Sequence, residues 1–154
     1  MTNLPQSTVS ETPQIRACAD DDRDAVIGLW EAAGLTRPWN DPHADFARKR
    51  LVQPELFLVA VDGGTITGTV MAGYDGHRGW LYYLATDPAR RGAGIGSSLV
   101  REAERRLVEM GCPKVQLMVR PDNSGVISFY EGLGYGEGEV LLLGKRTIED
   151  APPA

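Results

Sequence analysis

The chain reads as one mixed α/β domain, and three observations predict it. Short apolar runs alternate with amphipathic stretches in the order β-α-α-β-β-β-α-β-α-β. A length of 154 residues suits a single hydrophobic core. A glycine-rich loop, Arg90-Arg91-Gly92-Ala93-Gly94-Ile95-Gly96, joins an aromatic strand to an amphipathic helix near the middle of the chain. Together they give a sheet flanked by helices, with no internal repeat and no second domain.

Each element has its own signal. Residues 15–18 form a short first strand. Asp20, Asp21 and Asp22 supply an N-cap and first-turn negative charge for a helix whose apolar face is Ala25, Val26, Leu29, Trp30 and Ala33. Gly34 stops that helix. Asp41-Pro42 opens the second, as N-cap and first-turn proline, and it runs to about Val52. Residues 57–61 are a strand, Asp62-Gly63-Gly64 a hairpin turn and residues 66–74 the returning strand. A further turn at 75–79 leads to residues 80–86, completing a three-strand antiparallel meander. Ile95, Leu99, Ala103, Leu107 and Met110 recur at helical spacing. Residues 114–119 are the fifth strand, 124–133 a helix ended by Gly134, and 140–143 a late strand. Residues 1–13 and 149–154 read as disordered tails around a domain at 14–148.

Bulk properties exclude several function classes. A net charge of −5 argues against a nucleic-acid binder, which is normally basic. Cys18 and Cys112 are far apart and form no CxxC pair, so neither a disulfide framework nor a metal site is expected. The N-terminus lacks a basic start and an apolar stretch, so it is not a signal peptide. No run approaches the roughly 18 apolar residues that span a membrane. The expected location is cytoplasmic.

The glycine loop points to a phosphate-bearing ligand. A strand-loop-helix junction leaves backbone N–H groups without intrahelical partners, and glycine lets a ligand approach them closely. The helix dipole and Arg91 add positive charge. A nucleotide P-loop would need Lys-Ser/Thr after the last glycine, whereas Ser97-Ser98 follows Gly96. A dinucleotide fingerprint would need a glycine at position 97. A plain tight turn is the remaining alternative.

The pattern Arg91-x-x-Gly94-x-Gly96 resembles the coenzyme A loop of the GNAT N-acetyltransferase superfamily. Leu84-Ala85-Thr86-Asp87-Pro88 resembles the end of that family's fourth strand, where valine is more usual than Thr86. Asn123, followed by Phe129-Tyr130-Glu131-Gly132-Leu133-Gly134-Tyr135, resembles its Asn…Tyr-Glu-x-x-Gly-Phe/Tyr segment. The resemblance implies the GNAT fold, with a central mixed, mostly antiparallel sheet. It also implies acetyl-CoA as cosubstrate, no metal, and transfer of acetyl to a primary amine by direct attack in a ternary complex.

Residue by residue, it implies that Arg91, Gly92, Ala93, Gly94, Ile95, Gly96 and Ser97 cradle the pyrophosphate. Leu84 and Thr86 would offer backbone groups to the pantetheine arm, as an added strand does. Asn123 either hydrogen-bonds the pantetheine or caps the next helix. Tyr130 is the candidate catalytic residue, protonating the departing sulfur. Some members carry a glutamate base on the fourth strand, but residues 80–84 hold no carboxylate. Asp75 and His77 are candidates acting through water, with an ordinary turn as the alternative. The loop at 35–41, including Arg37 and Trp39, would line the acceptor pocket. The expected partners are an amine-bearing acceptor and, as in many members of the family, a second copy of the chain, with no nucleic acid or membrane. The alternative function is a non-catalytic acyl-CoA sensor of the same fold.

Overall fold

The computed structural model describes residues 12–150. The elements are β1 (Gln14–Ala17), α1 (Arg23–Ala32), α2 (Pro42–Leu51), β2 (Phe57–Asp62), β3 (Thr65–Tyr74), β4 (Gly79–Thr86), α3 (Ile95–Glu109), β5 (Val115–Leu117) and α4 (Ser124–Glu131). The strands form one sheet in the order β1-β2-β3-β4-β5. All neighbours are antiparallel except β4 and β5, which run parallel.

The sheet is buried on both faces, and β2 shows how the sequence specifies that. Successive strand residues point to opposite sides. Phe57 and Val59 join Val26, Trp30 and Phe46 of α1 and α2 on one face. Leu58 and Ala60 join Leu99, Ala103 and Leu107 of α3 on the other. A strand covered twice has no polar face, so the run Phe57-Leu58-Val59-Ala60-Val61 is continuously apolar. Each fully buried leucine contributes about 1.5–3 kcal/mol.

Most helix ends follow the sequence signals, but the expected aspartate N-cap of α1 does not form: Asp20–Asp22 make a 3₁₀ turn, and the Asp22 carboxylate accepts the Ala19 amide instead of an α1 amide. Asp41 accepts the His43 amide at 2.9 Å and Pro42 occupies the first turn of α2. Gly34 and Gly134 take left-handed φ values of 72° and 96° after α1 and α4. Gly68 of β3 seats α3, since a Cβ there would lie 2.7 Å from Ile95 Cγ2 and 2.8 Å from Leu99 Cδ1. Only glycine allows the helix to lie so close, and this contact fixes the height of the loop that precedes it.

Two expectations are corrected. The fifth strand is three residues long rather than six, because it diverges from β4 after Leu117. The late strand at 140–143 does not form, and its residues are exposed. Apolar character marks a segment that wants burial, but a strand also needs a ladder partner, and none of the described strands pairs with it.

Of the expected tails, residues 1–11 and 151–154 lie outside the described residues. Asp150 is tied down, accepting the Asp41 amide at 2.7 Å and Arg48 at 2.6 Å. Among the described residues no helix is long and apolar enough to cross a membrane.

Candidate active site

The site begins where β4 and β5 part. Their parallel pairing covers only Gly79–Leu81 against Val115–Leu117. Beyond Leu81 the β5 side of β4 has no strand partner among the described residues, and a cavity of about 800 Å³ opens there. It is lined by Leu84 of β4, Leu117 and Met118 at the end of β5, and Asn123 and Tyr130 on α4. Unpaired strand backbone beside a cavity suits an extended, amide-bearing ligand.

A bulge in β4 assists this opening. Register with β3 shifts between Thr69 and Met71, and Tyr83 adopts φ 51°, a left-handed value that is costly for a non-glycine residue. Three contacts hold it. The Tyr83 ring stacks on Trp30 at 4.1 Å between centroids. Trp30 Nε1 donates to Thr69 Oγ1, which donates to the Tyr83 carbonyl, both at 3.1 Å. The Tyr83 hydroxyl donates to Asp45 at 2.5 Å. Burial first, and the Asp45 carboxylate second, push the Tyr83 phenol well above its ordinary range.

At the C-terminal end of β4 lies the glycine loop. Gly92 and Gly94 adopt φ of 82° and 78°, and α3 starts at Ile95. A Cβ at either glycine would meet nothing within 4 Å, so the space above them is open. Among the described residues the amides of Gly92, Gly94, Ile95, Gly96 and Ser97 have no protein acceptor, whereas Ala93 donates to the Arg90 carbonyl at 3.3 Å. Gly96 is different: its Cβ would lie 3.4 Å from Phe129 Cζ and 3.7 Å from Thr86 Cγ2. Thr86 thus lies under the first turn of α3. Arg90 is bound to Asp62 and Asp87. Arg91 is exposed and makes no ion pair among the described residues, which leaves its charge to the loop.

Tyr130 is 7% exposed, edge-on to Phe129 and Tyr135 at 5.0 and 5.5 Å. Its hydroxyl makes no hydrogen bond among the described residues, and Tyr130 lines the cavity. Burial pushes its phenol up to about 12. Asn123 caps α4 by accepting the Val126 amide at 3.3 Å, while its residue also lines the cavity. Capping uses the side-chain oxygen and leaves the NH₂ available.

The wall opposite α4 comes from the loop after α1 and from α2. Leu35, Arg37, Asn40, Asp45, Arg48 and Lys49 line it. Arg37 also donates to the carbonyls of Gly34 and Thr36, which shapes the loop. Lys49 is half-buried, and desolvation lowers its pKa. Trp39 is exposed and stands outside this cavity.

Asp75 also stands outside it. It accepts the His77 and Arg78 amides at 2.8 and 2.7 Å and closes the β3–β4 turn. The ordinary-turn alternative therefore describes Asp75. Asp45 and Tyr83 escaped the sequence reading. The pair is 38 residues apart, and no local pattern announces a bulge. Among the described residues no cluster of three or more His, Cys, Asp or Glu side chains is disposed to hold a metal ion.

Comparison with known proteins bears on the same residues. The sequence pattern of the acetyltransferase (GNAT) family matches residues 17–135, from the end of β1 to Tyr135. An acetyltransferase of Pectobacterium atrosepticum is 53% identical over 137 residues, covering 89% of this chain and 97% of that protein. Ard1 from Thermoplasma volcanium superposes with a TM-score of 0.73 at 26% identity, over 80% of this chain and 82% of that one. A structure of AAC(6')-Iy in complex with a bisubstrate analogue containing CoA superposes at 0.72 and 18% identity, over 90% and 100%. The separated β4 and β5 strands, the glycine loop ahead of α3 and the match spanning all three motifs agree: this chain belongs to the GNAT family of acetyltransferases.

Proposed function

We propose that the protein is an acetyl-CoA-dependent N-acetyltransferase that transfers acetyl directly to a primary amine in a ternary complex. The observation that carries this reading is a pair of features at one end of β4. Unpartnered amides at Gly92, Gly94, Ile95, Gly96 and Ser97 follow its C-terminal end, and its side unpaired beyond Leu81 meets the cavity that Leu84, Asn123 and Tyr130 line. The amides and Arg91 suit the coenzyme's pyrophosphate. The backbone near Leu84 and the Asn123 NH₂ suit its pantetheine amides.

In the reaction a C–N bond forms to the thioester carbonyl and the C–S bond breaks. Backbone N–H groups on the open edge of β4 would stabilise the oxyanion. Tyr130 would donate a hydrogen bond to the departing sulfur. As the C–S bond breaks, the phenol proton would pass to the sulfur, and the proton lost by the amine would return to the phenolate through water, so that the products are an amide and a thiol. Asp45 is the carboxylate on the cavity wall and would hold the acceptor's ammonium group before it is deprotonated. A cytoplasmic location fits an enzyme drawing on the acetyl-CoA pool.

The absence of a carboxylate on residues 80–84 favours one second reading, an acyl-CoA sensor without turnover. Titration with acetyl-CoA, followed by a thiol-release assay across amines, separates them. Micromolar binding with turnover is expected. Binding without turnover on any amine selects the sensor, and no binding removes both readings.

A further inference from the structure

Building on the transferase reading above, we infer that the acceptor is a free amino acid, its carboxylate held by Lys49 while Asp45 holds its amine. The charges around the cavity point to an anionic group on the acceptor. Arg37, Arg48, Lys49 and Arg120 line it, against one carboxylate, Asp45. The chain as a whole carries a net charge of −5, so this excess of cations is a local arrangement. A site for a plain amine would gain from the opposite sign.

The proposed pyrophosphate site does not account for these cations, since none of residues 91–97 lines this cavity. Three of the four have other engagements or another place. Arg48 is bound to Asp150 at 2.6 Å and Asp45 at 3.3 Å. Arg37 is turned back on the carbonyls of Gly34 and Thr36. Arg120 lies between β5 and α4, away from α2. Lys49 is left. It is half-buried, and its Nζ lies 3.9 Å from the position a Cβ on Gly73 would take. It makes no ion pair or hydrogen bond among the described residues, and Glu55 acts on it only at longer range. Burial strips water from the ammonium and lowers its pKa. A bound carboxylate would restore what that lost hydration supplied.

The spacing on α2 selects the kind of acceptor. Asp45 and Lys49 are four residues apart, so they share one helix face, about 6 Å apart along the axis. Asp45 is bonded to the Tyr83 hydroxyl, beside the part of β4 proposed for the thioester. Lys49 lies over Gly73 of β3, which pairs with Trp80, short of Tyr83 on β4. An amine at Asp45 and a carboxylate at Lys49 are therefore only a few bonds apart, as in a free amino acid. A peptide N-terminus carries its carboxylate elsewhere, and a plain amine leaves Lys49 unpaired.

The test is kcat/KM by thiol release from acetyl-CoA, in the full chain and in Lys49→Met and Lys49→Arg variants. The acceptors are the common α-amino acids, their α-carboxamides, peptides with a free N-terminus, and phosphoethanolamine. At least one amino acid should exceed its carboxamide about tenfold or more, the worth of a charged hydrogen bond. Lys49→Met keeps most of the side-chain stem and should bring that ratio close to one, whereas Lys49→Arg should keep the preference. Titration with acetyl-CoA checks that each variant is folded. Carboxamides or peptides used as well as the acids overturn the proposal. So does an acid preference that survives Lys49→Met, or one lost equally in both variants, which would make the residue a packing element. Phosphoethanolamine outrunning every amino acid would put a phosphate in place of the carboxylate and overturn it as well. No turnover on any amine, with acetyl-CoA bound, fails the transferase reading itself, a result distinct from turnover without acid preference.

Discussion

Adding one methyl group at Gly94 and at Gly96, two residues apart, should give opposite results. At Gly94 the backbone has φ 78°, and a Cβ meets no neighbour within 4 Å. The cost there is conformational: about 1–2 kcal/mol for a side chain in the left-handed region. If the loop keeps its shape in Gly94→Ala, the fold carries that cost and the thermal midpoint falls. If the loop relaxes instead, binding must restore it, and affinity for acetyl-CoA falls about 5–30-fold. The two losses should sum to roughly the same 1–2 kcal/mol, whatever their division. At Gly96 no left-handed φ is involved, and the new Cβ would approach the Phe129 ring edge at 3.4 Å, which a small ring movement accommodates. Alanine also favours helix over glycine by about 1 kcal/mol. Gly96→Ala should therefore be neutral or stabilising and bind within about threefold of wild type. Calorimetric titration and thermal melts of both variants measure every quantity. Wild-type affinity together with wild-type stability in Gly94→Ala would refute the left-handed cradle, as would equal losses at both positions.

Other perturbations probe other parts of the site. Tyr130→Phe should leave acetyl-CoA affinity unchanged and lower kcat by about 10²-fold. Because burial holds the phenol near 12, the wild-type rate profile should show no alkaline fall from this group near pH 10, the ordinary tyrosine value; a limb at pH 10 that Phe abolishes would contradict the burial argument. Asp45→Asn should raise KM for the amine about tenfold, by loss of a charged hydrogen bond, with acetyl-CoA affinity intact; calorimetry separates the two ligands. Asp22 accepts Arg16 at 2.6 and 3.0 Å and the Ala19 amide at 2.8 Å, and the Arg16 hydrogen bond, then the amide, hold its pKa below 3.8. A depressed carboxylate stabilises the fold above its unfolded pKa and stops doing so as pH falls through the folded value. Asp22→Asn should thus cost about 1–3 kcal/mol at neutral pH, and that difference should shrink below about pH 4 in denaturant titrations.

Legibility differed between the two halves of the site for a physical reason. The half proposed for the coenzyme is written locally. Glycines at 92, 94 and 96, the helix that follows and the Asn123 cap are each decided by neighbours within a few residues. The acceptor half is not. Asp45 reaches the cavity because α2 lies across Tyr83, and Tyr83 points there because of a bulge that Trp30 and Thr69 support. Those groups span residues 30 to 83, so no window of sequence contains the arrangement. The late strand failed in the opposite sense. Its apolar letters state a need for burial, but none of the described strands pairs with it.

The bulge would also let β4 serve both proposed ligands. A regular strand would continue pairing with β5 or bend away smoothly, and its side chains would alternate between the two cores. Turning Tyr83 into the left-handed region breaks that alternation. Leu84 then lines the cavity while Ala85 returns to the core beside Trp30 and Phe57. The strain, about 1–3 kcal/mol, falls on a residue held by a stacked indole, a hydroxyl on its carbonyl and a carboxylate on its phenol. Removing the last of these tests whether the hold is redundant. Tyr83→Phe keeps the stacking and the backbone bond, so the bulge and acetyl-CoA affinity should persist while acceptor KM changes as Asp45 loses the Tyr83 hydroxyl and keeps only Arg48 at 3.3 Å. A large loss of acetyl-CoA affinity in Tyr83→Phe would mean instead that the Asp45 bond keeps β4 open, and that the two halves of the site are one mechanical unit.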